Sequence, residues 1–408
     1  MLVSTLRRGI AAGAVLGLLI LTACGETPTN TPPPAPTDTV SMAPTTAPGA
    51  TDLTPTHATA SGTATPAPAP TNTAIVVGNP GASLLINGAG ATFPVPIYTK
   101  WFASYVNIDP TVRFNYQPIG SGAGIQQIQN QTVDFGGSDA PLTDAQLKGA
   151  KGGELYHIPT VAGSVALIYN LPNVPSGLKL DGPTLAGIFD GTITSWNDQA
   201  ITSQNPDLAA NLTGDVLIVH RSDGSGTTNI FTDYLSTVSS QWQSSVGKGT
   251  SVNWPVGLGA RGNAGVAGQV QQTPGGIGYV ELAYAIQNKL TYAAMKNANG
   301  EYIAPTLDST VAATKAVTSP PADLRLSIVN SPGAGVYPIA GFTYLLVYKT
   351  QTDAAKGTGL AKFLWWAIHD GEAQAQSLSY APLPDNVVKL AEDKIKALDC
   401  GGKACYTP

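Results

Sequence analysis

Charge is scarce in this chain. Asp, Glu, Lys and Arg make up 12% of its 408 residues, and the formal net charge is −5. That balance lacks the basic footprint needed for non-specific nucleic-acid binding. It still permits an anion site, because backbone N–H groups and one arginine suffice to build one. Histidine and cysteine are also few: His57, His157, His220 and His369, and Cys24, Cys400 and Cys405. None lies at a metal-ligand spacing such as C-x-x-C or H-E-x-x-H, so no metal is expected. A G-x-x-x-x-G-K-[ST] loop is absent, so the chain is not expected to hydrolyse nucleotide itself. Gly136-Gly137-Ser138-Asp139-Ala140 approaches the G-x-S-x-G nucleophile elbow but ends in alanine. With no motif around its histidines to supply a base, the chain is not expected to be an enzyme, and no cofactor is expected.

Long apolar runs are scarce too. One stands at the start, in MLVSTLRRGIAAGAVLGLLILTAC. Arg7 and Arg8 precede Ile10 to Leu21, a run too short to span a bilayer comfortably. It ends in Leu21-Thr22-Ala23-Cys24, which resembles a bacterial lipobox, so residues 1–24 are expected to be a signal peptide ending at a lipidated Cys24. Residues 25–74 then hold 11 Pro and 15 Thr and no aromatic residue. Such a segment cannot bury enough apolar surface to offset its ordering entropy, and proline extends it. Residues 25–79 are therefore expected to be a disordered tether that holds an exported domain clear of the membrane.

What the sequence has in plenty is glycine, 45 residues, and enough length after the tether for two lobes. Strand-like and helix-like stretches alternate, which predicts an α/β fold. Three times a strand runs into a Gly/Ser/Thr cluster and then a helix. The clusters are Gly88–Pro94, Ile119–Gly124 and Arg221–Thr228. Helix N-termini leave N–H groups unpaired at a positive dipole end, and glycines let a ligand reach the backbone. Three such ends in one cleft would make an anion site. The plain alternative is that each cluster only caps its helix, and the pattern alone leaves both readings open.

Longer segments narrow the choice. GAGATFPVPIY (88–98), NYQPIGSG (115–122), VDFGGSDAPL (133–142), RSDGSGTTNIF (221–231), WPVGLGARGNAGV (254–266) and PGGIGYVE (274–281) occur in this order. Across most of residues 84–390 the chain resembles the extracytoplasmic phosphate-binding proteins of bacterial phosphate ABC importers. The resemblance implies a two-lobed periplasmic-binding-protein-like fold of type II with two hinge crossovers. Residues 80–160 with 337–408 would form one lobe and 161–336 the other, with hinges near 159–164 and 337–342. It implies a phosphate site made of Thr92, Phe93, Ser121 and Asp139 from one lobe and Arg221, Ser225, Gly226 and Thr227 from the other, with Asp223 supporting Arg221. The implied protein is a monomer on the outer face of the cytoplasmic membrane that serves separate permease and ATPase subunits. A receptor for another oxyanion such as arsenate, or a surface adhesin or phosphate sensor, is the alternative.

The chemistry of that set is coherent. Arg221 offers a two-pronged donor, and the hydroxyls and glycine-flanked amides add single donors. Asp139 can only accept while ionised. It therefore suits an anion that keeps a proton, as phosphate does near neutral pH, and repels sulfate. Its local alternative is a cap or turn residue before Pro141. Two departures from the family pattern stand out. Gly122 replaces a usual serine, which removes a hydroxyl and leaves an N–H, and Arg261 stands where lysine is common. At the C-terminus Cys400 and Cys405 are expected to close a small disulfide loop, with free thiols as the alternative.

Overall fold

The computed structural model describes residues 73–408. Cys24, and the part of the expected tether before residue 73, lie outside the described residues. The last part of that tether is a strand, which corrects the expectation of disorder there. Ile75–Val77 (β1) pairs antiparallel with Val112–Gln117 (β3) through Ile75–Tyr116 and Val77–Phe114. Three successive β-branched residues suit a strand, and the partner edge satisfies their backbone groups.

The remaining strands are Leu84–Gly90 (β2), Phe135–Ser138 (β4), Leu155–Tyr169 (β5), Lys179–Leu180 (β6), Leu217–Arg221 (β7), Leu258–Ala260 (β8), Gly276–Glu281 (β9), Thr291–Tyr292 (β10), Ala294–Lys296 (β11), Tyr302–Ile303 (β12) and Ala340–Tyr348 (β13). One large mixed sheet has the order β1-β3-β2-β4-β13-β5-β9-β7-β8, with β10 alongside β5. A small sheet has the order β12-β11-β6.

β5 organises the molecule. Its 15 residues are all buried, the mark of a strand covered on both faces. Leu155–Ser164 pairs with β13 and Val165–Tyr169 pairs with β9. The sheet therefore has two halves that meet at Ser164/Val165, where the Val165 N–H donates to the Ile339 carbonyl at 2.8 Å. This meeting point lies at the end of the 159–164 segment expected as a hinge. Near the start of the other expected hinge, the Tyr337 hydroxyl donates to the Val165 carbonyl at 2.8 Å.

Within each half the strands that carry the clusters are parallel: β2 with β3 and β4, and β7 with β8 and β9. Parallel strands bring their carboxyl ends to one edge, where ligands of α/β sheets bind. The cores are apolar and aromatic. Phe102 stacks on Phe114 at 4.4 Å and Phe231 on Tyr279 at 4.4 Å. Trp366 is buried in the helix Ala354–Ala367, whereas Trp365 lies at its margin against His369 and Tyr406. Cys400 and Cys405 are joined by a disulfide.

The described histidines are engaged in packing. His157 Nε2 accepts the Leu142 N–H at 2.9 Å, and burial pushes its imidazole down to about 4, so the ring is neutral. His220 stacks on Trp254, and His369 pairs with Glu392. Among the described residues no cluster of His, Cys, Asp or Glu is arranged to hold a metal, and no helix is long and apolar enough to cross a membrane.

Candidate functional site

Each of the three clusters delivers a helix start to the junction between the two halves, because the parallel strands of each half run with their carboxyl ends toward it. β2 leads into the helix Val95–Tyr105, β3 into Ser121–Gln129 and β7 into Gly226–Val238. A fourth start, Gly262–Gln272, follows β8 and lies outside the expected set. The capping alternative holds for one residue: Ser225 Oγ accepts the Thr228 N–H at 3.1 Å. That use leaves its hydroxyl hydrogen to donate elsewhere. The first two helices have no side-chain cap, so Thr92 and Ser121 are not spent on capping. Asp139 does not cap either, since Thr143 caps the next helix.

The expected residues converge across the two halves of the sheet. Thr92, Ser121, Asp139 and Arg221 retain at most 4% exposure, and Phe93, Ser225 and Thr227 retain none. Ser121 Oγ accepts the Gly226 N–H at 2.9 Å, which joins the second cluster to the third. Gly226 must be glycine here, because a Cβ would stand 2.5 Å from the Asp139 carboxylate. Gly122 is held in the same way. Its N–H donates to the Gly224 carbonyl at 2.9 Å, and a Cβ would meet Gly224 Cα at 3.1 Å. The amide expected to remain for a ligand at Gly122 is therefore spent on joining the two halves.

Arg221 lies flat against Asp223, with Nε 2.7 Å from Oδ1 and Nη2 2.5 Å from Oδ2. Its remaining Nη1 approaches Thr227 Oγ1 at 3.4 Å. The pair fixes the guanidinium plane, with Nη1 on the side that faces Thr227. Burial pushes the Asp223 carboxyl up, but the Arg221 hydrogen bonds and charge, with the Gly262 N–H, hold it below its ordinary value. Asp223 is thus ionised and supports Arg221.

Asp139 behaves in the opposite way. Burial pushes its carboxyl up to about 7, against the Thr343 hydroxyl, the Arg221 charge and the Ser121 hydroxyl, which all act downward. Thr343 Oγ1 donates to Asp139 Oδ1 at 2.8 Å. Thr343 lies at a register shift of β13, the kind of irregularity that re-aims a side chain. Phe93 is held in place by Tyr380: its carbonyl accepts the Tyr380 hydroxyl at 2.7 Å, and its ring packs edge-on against Tyr380.

Three members escape sequence reasoning. Thr343 sits in FTYLLVY, which reads as an ordinary buried strand. Tyr284 donates its hydroxyl to the Thr92 carbonyl at 2.6 Å, from a helix with no local signal. Asn263 donates to Thr92 Oγ1 at 2.9 Å and Thr227 Oγ1 at 3.2 Å, and its place in the glycine-rich segment 254–266 is the one available hint.

The arrangement gathers one guanidinium, several hydroxyls and one carboxyl, all buried where the two halves meet. That set suits a small oxyanion that carries a proton. Comparisons with known proteins agree with this chemistry. The model of the PBP superfamily domain matches residues 53–370. The chain is 47% identical over 312 residues to the phosphate-binding protein PstS of Xylella fastidiosa (strain Temecula1), covering 76% of this chain and 84% of that protein. It is 41% identical over 326 residues to the phosphate-binding protein PstS of Pasteurella multocida, covering 79% and 93%. In fold it is similar to a high affinity periplasmic phosphate-binding protein (PfluDING) solved with phosphate, with a TM-score of 0.61 at 24% identity, covering 78% of this chain and 96% of that one.

Proposed function

This chain belongs to the PBP superfamily and, within it, to the PstS phosphate-binding proteins, and from that premise we propose that it binds one inorganic phosphate between its two lobes and delivers it to an ABC importer. Thr92, Phe93, Ser121 and Asp139 hold the anion from one lobe, and Arg221, Ser225, Gly226 and Thr227 from the other, with the Gly226 N–H, which donates to Ser121 Oγ in this structure, turning to the anion. Arg221 supplies charge and the hydroxyls supply donors. Asp139 accepts the phosphate O–H.

The observation that carries this reading is the presence of two opposite groups, both buried where the two halves meet. Arg221 is kept cationic and oriented by Asp223, while Asp139 stands across from it with no cation of its own in hydrogen-bond contact. A fully deprotonated oxyanion would gain from the first and be repelled by the second. Phosphate satisfies both.

Because ligand atoms would bridge the lobes, binding favours the closed arrangement, with Ser164/Val165 and Ile339/Ala340 as the two crossovers. The protein acts as a receptor without catalysis, as a monomer, exported and anchored at Cys24 on the outer face of the membrane. Permease and ATPase subunits complete the importer. Calorimetric titration of refolded, dialysed protein with phosphate and then sulfate tests the reading. One-to-one phosphate binding with no sulfate heat is expected. Absence of phosphate binding by correctly folded protein overturns it.

A further inference from the structure

Asn263 is fully buried in the first turn of the helix Gly262–Gln272, where its own N–H has no partner within the helix. Its side chain has one orientation that satisfies its neighbours. The Glu281 N–H can only donate, and it lies 2.9 Å from Oδ1. The oxygen is therefore fixed on that side, and Nδ2 faces the threonines.

Thr92 Oγ1 receives two donors, Asn263 Nδ2 at 2.9 Å and the Asn263 N–H at 3.2 Å. Thr227 Oγ1 also receives two, Asn263 Nδ2 at 3.2 Å and Arg221 Nη1 at 3.4 Å. A hydroxyl has two acceptor lone pairs and one hydrogen. With both lone pairs engaged, each threonine has only its hydrogen left to offer.

We infer that Asn263 is a positioning residue that locks Thr92 and Thr227 as hydrogen-bond donors toward the bound anion. The inference rests on the phosphate reading above. Phosphate presents acceptors on nearly every oxygen, so a site of locked donors matches it, and Asp139 alone reads its proton. Aspartate at 263 would present an acceptor where Nδ2 now donates, and the threonine hydrogens would turn inward.

Titration calorimetry on wild type, Asn263→Ala, Asn263→Asp, Thr92→Val and the Asn263→Ala/Thr92→Val double variant tests this. Asn263→Ala should weaken phosphate binding about 10- to 100-fold, and Asn263→Asp at least as much. In the Thr92→Val background the cost of Asn263→Ala should shrink by about threefold or more, because part of its action passes through that hydroxyl. Thermal melts verify folding. Should the alanine variant not fold, Asn263→Asp, which keeps the size and the contact to Glu281, carries the test. Wild-type affinity in both variants, or an undiminished cost in the Thr92→Val background, overturns the inference. Loss of phosphate binding by the wild type itself would instead overturn the function proposed above.

Discussion

Replacing Asp139 by asparagine separates anion binding from proton reading. The substitution keeps the volume and the Oδ1 acceptor for Thr343, 2.8 Å away. It converts the other carboxylate oxygen into a donor. Phosphate loses the acceptor for its O–H, a charge-assisted hydrogen bond worth ~1.5–3 kcal/mol, so its affinity should fall ~10- to 100-fold. Sulfate loses a facing negative charge and gains a donor. A site that pairs a ligand O–H discriminates by ~10⁴–10⁵-fold, and the variant should bring that ratio to within ~100-fold.

The same change has a signature without ligand. Burial raises the Asp139 carboxyl from 3.8 to about 7, so the folded state holds its proton more tightly than the unfolded chain. The associated stability is present below pH 3.8 and lost as pH rises through about 7. At ~1.4 kcal/mol per pH unit, ionising Asp139 in the ligand-free protein costs ~4 kcal/mol. Asparagine should remove that part of the decline between about pH 4 and 7. Calorimetry with both anions and denaturant melts across this range measure the two effects. An unchanged phosphate-to-sulfate ratio would refute the proton-reading argument.

Other perturbations have definite expectations. Arg221→Ala removes the two-pronged donor and leaves Asp223 buried without its partner; phosphate affinity should fall ~10²- to 10⁴-fold in equilibrium dialysis. Lowering the pH to about 5 protonates Asp139 in the wild type, so weak sulfate binding should emerge there and vanish by about pH 8. Burial also pushes the Glu281 carboxyl well up, so Glu281→Gln, which mimics the neutral acid, should keep the fold and raise the melting temperature most at high pH. Reducing the Cys400–Cys405 disulfide frees a short loop and should cost ~2 kcal/mol, read as a lower denaturation midpoint, with phosphate affinity unchanged.

Much of this protein is legible in the sequence because its chemistry is local. Each cluster couples a strand end to a helix start within a few residues, and glycine, serine and threonine suit that junction. Arg221 and Asp223 are two residues apart, so their pairing also needs little beyond local geometry. The strand Ile75–Val77 is hidden because proline and threonine dominate the stretch before it, while its stability comes from an edge supplied by β3.

Only the tertiary structure decided which groups meet. Thr343 reaches Asp139 across 204 positions of sequence, and Asn263 reaches Thr92 across 171. No window of sequence reports such a separation. The rise of the Asp139 carboxyl likewise depends on burial by both halves of the sheet, which exists only once they pack. Residue types set the available donors and acceptors. The fold, by excluding water and fixing distances, decided which lone pairs are already engaged and which hydrogens remain for a ligand.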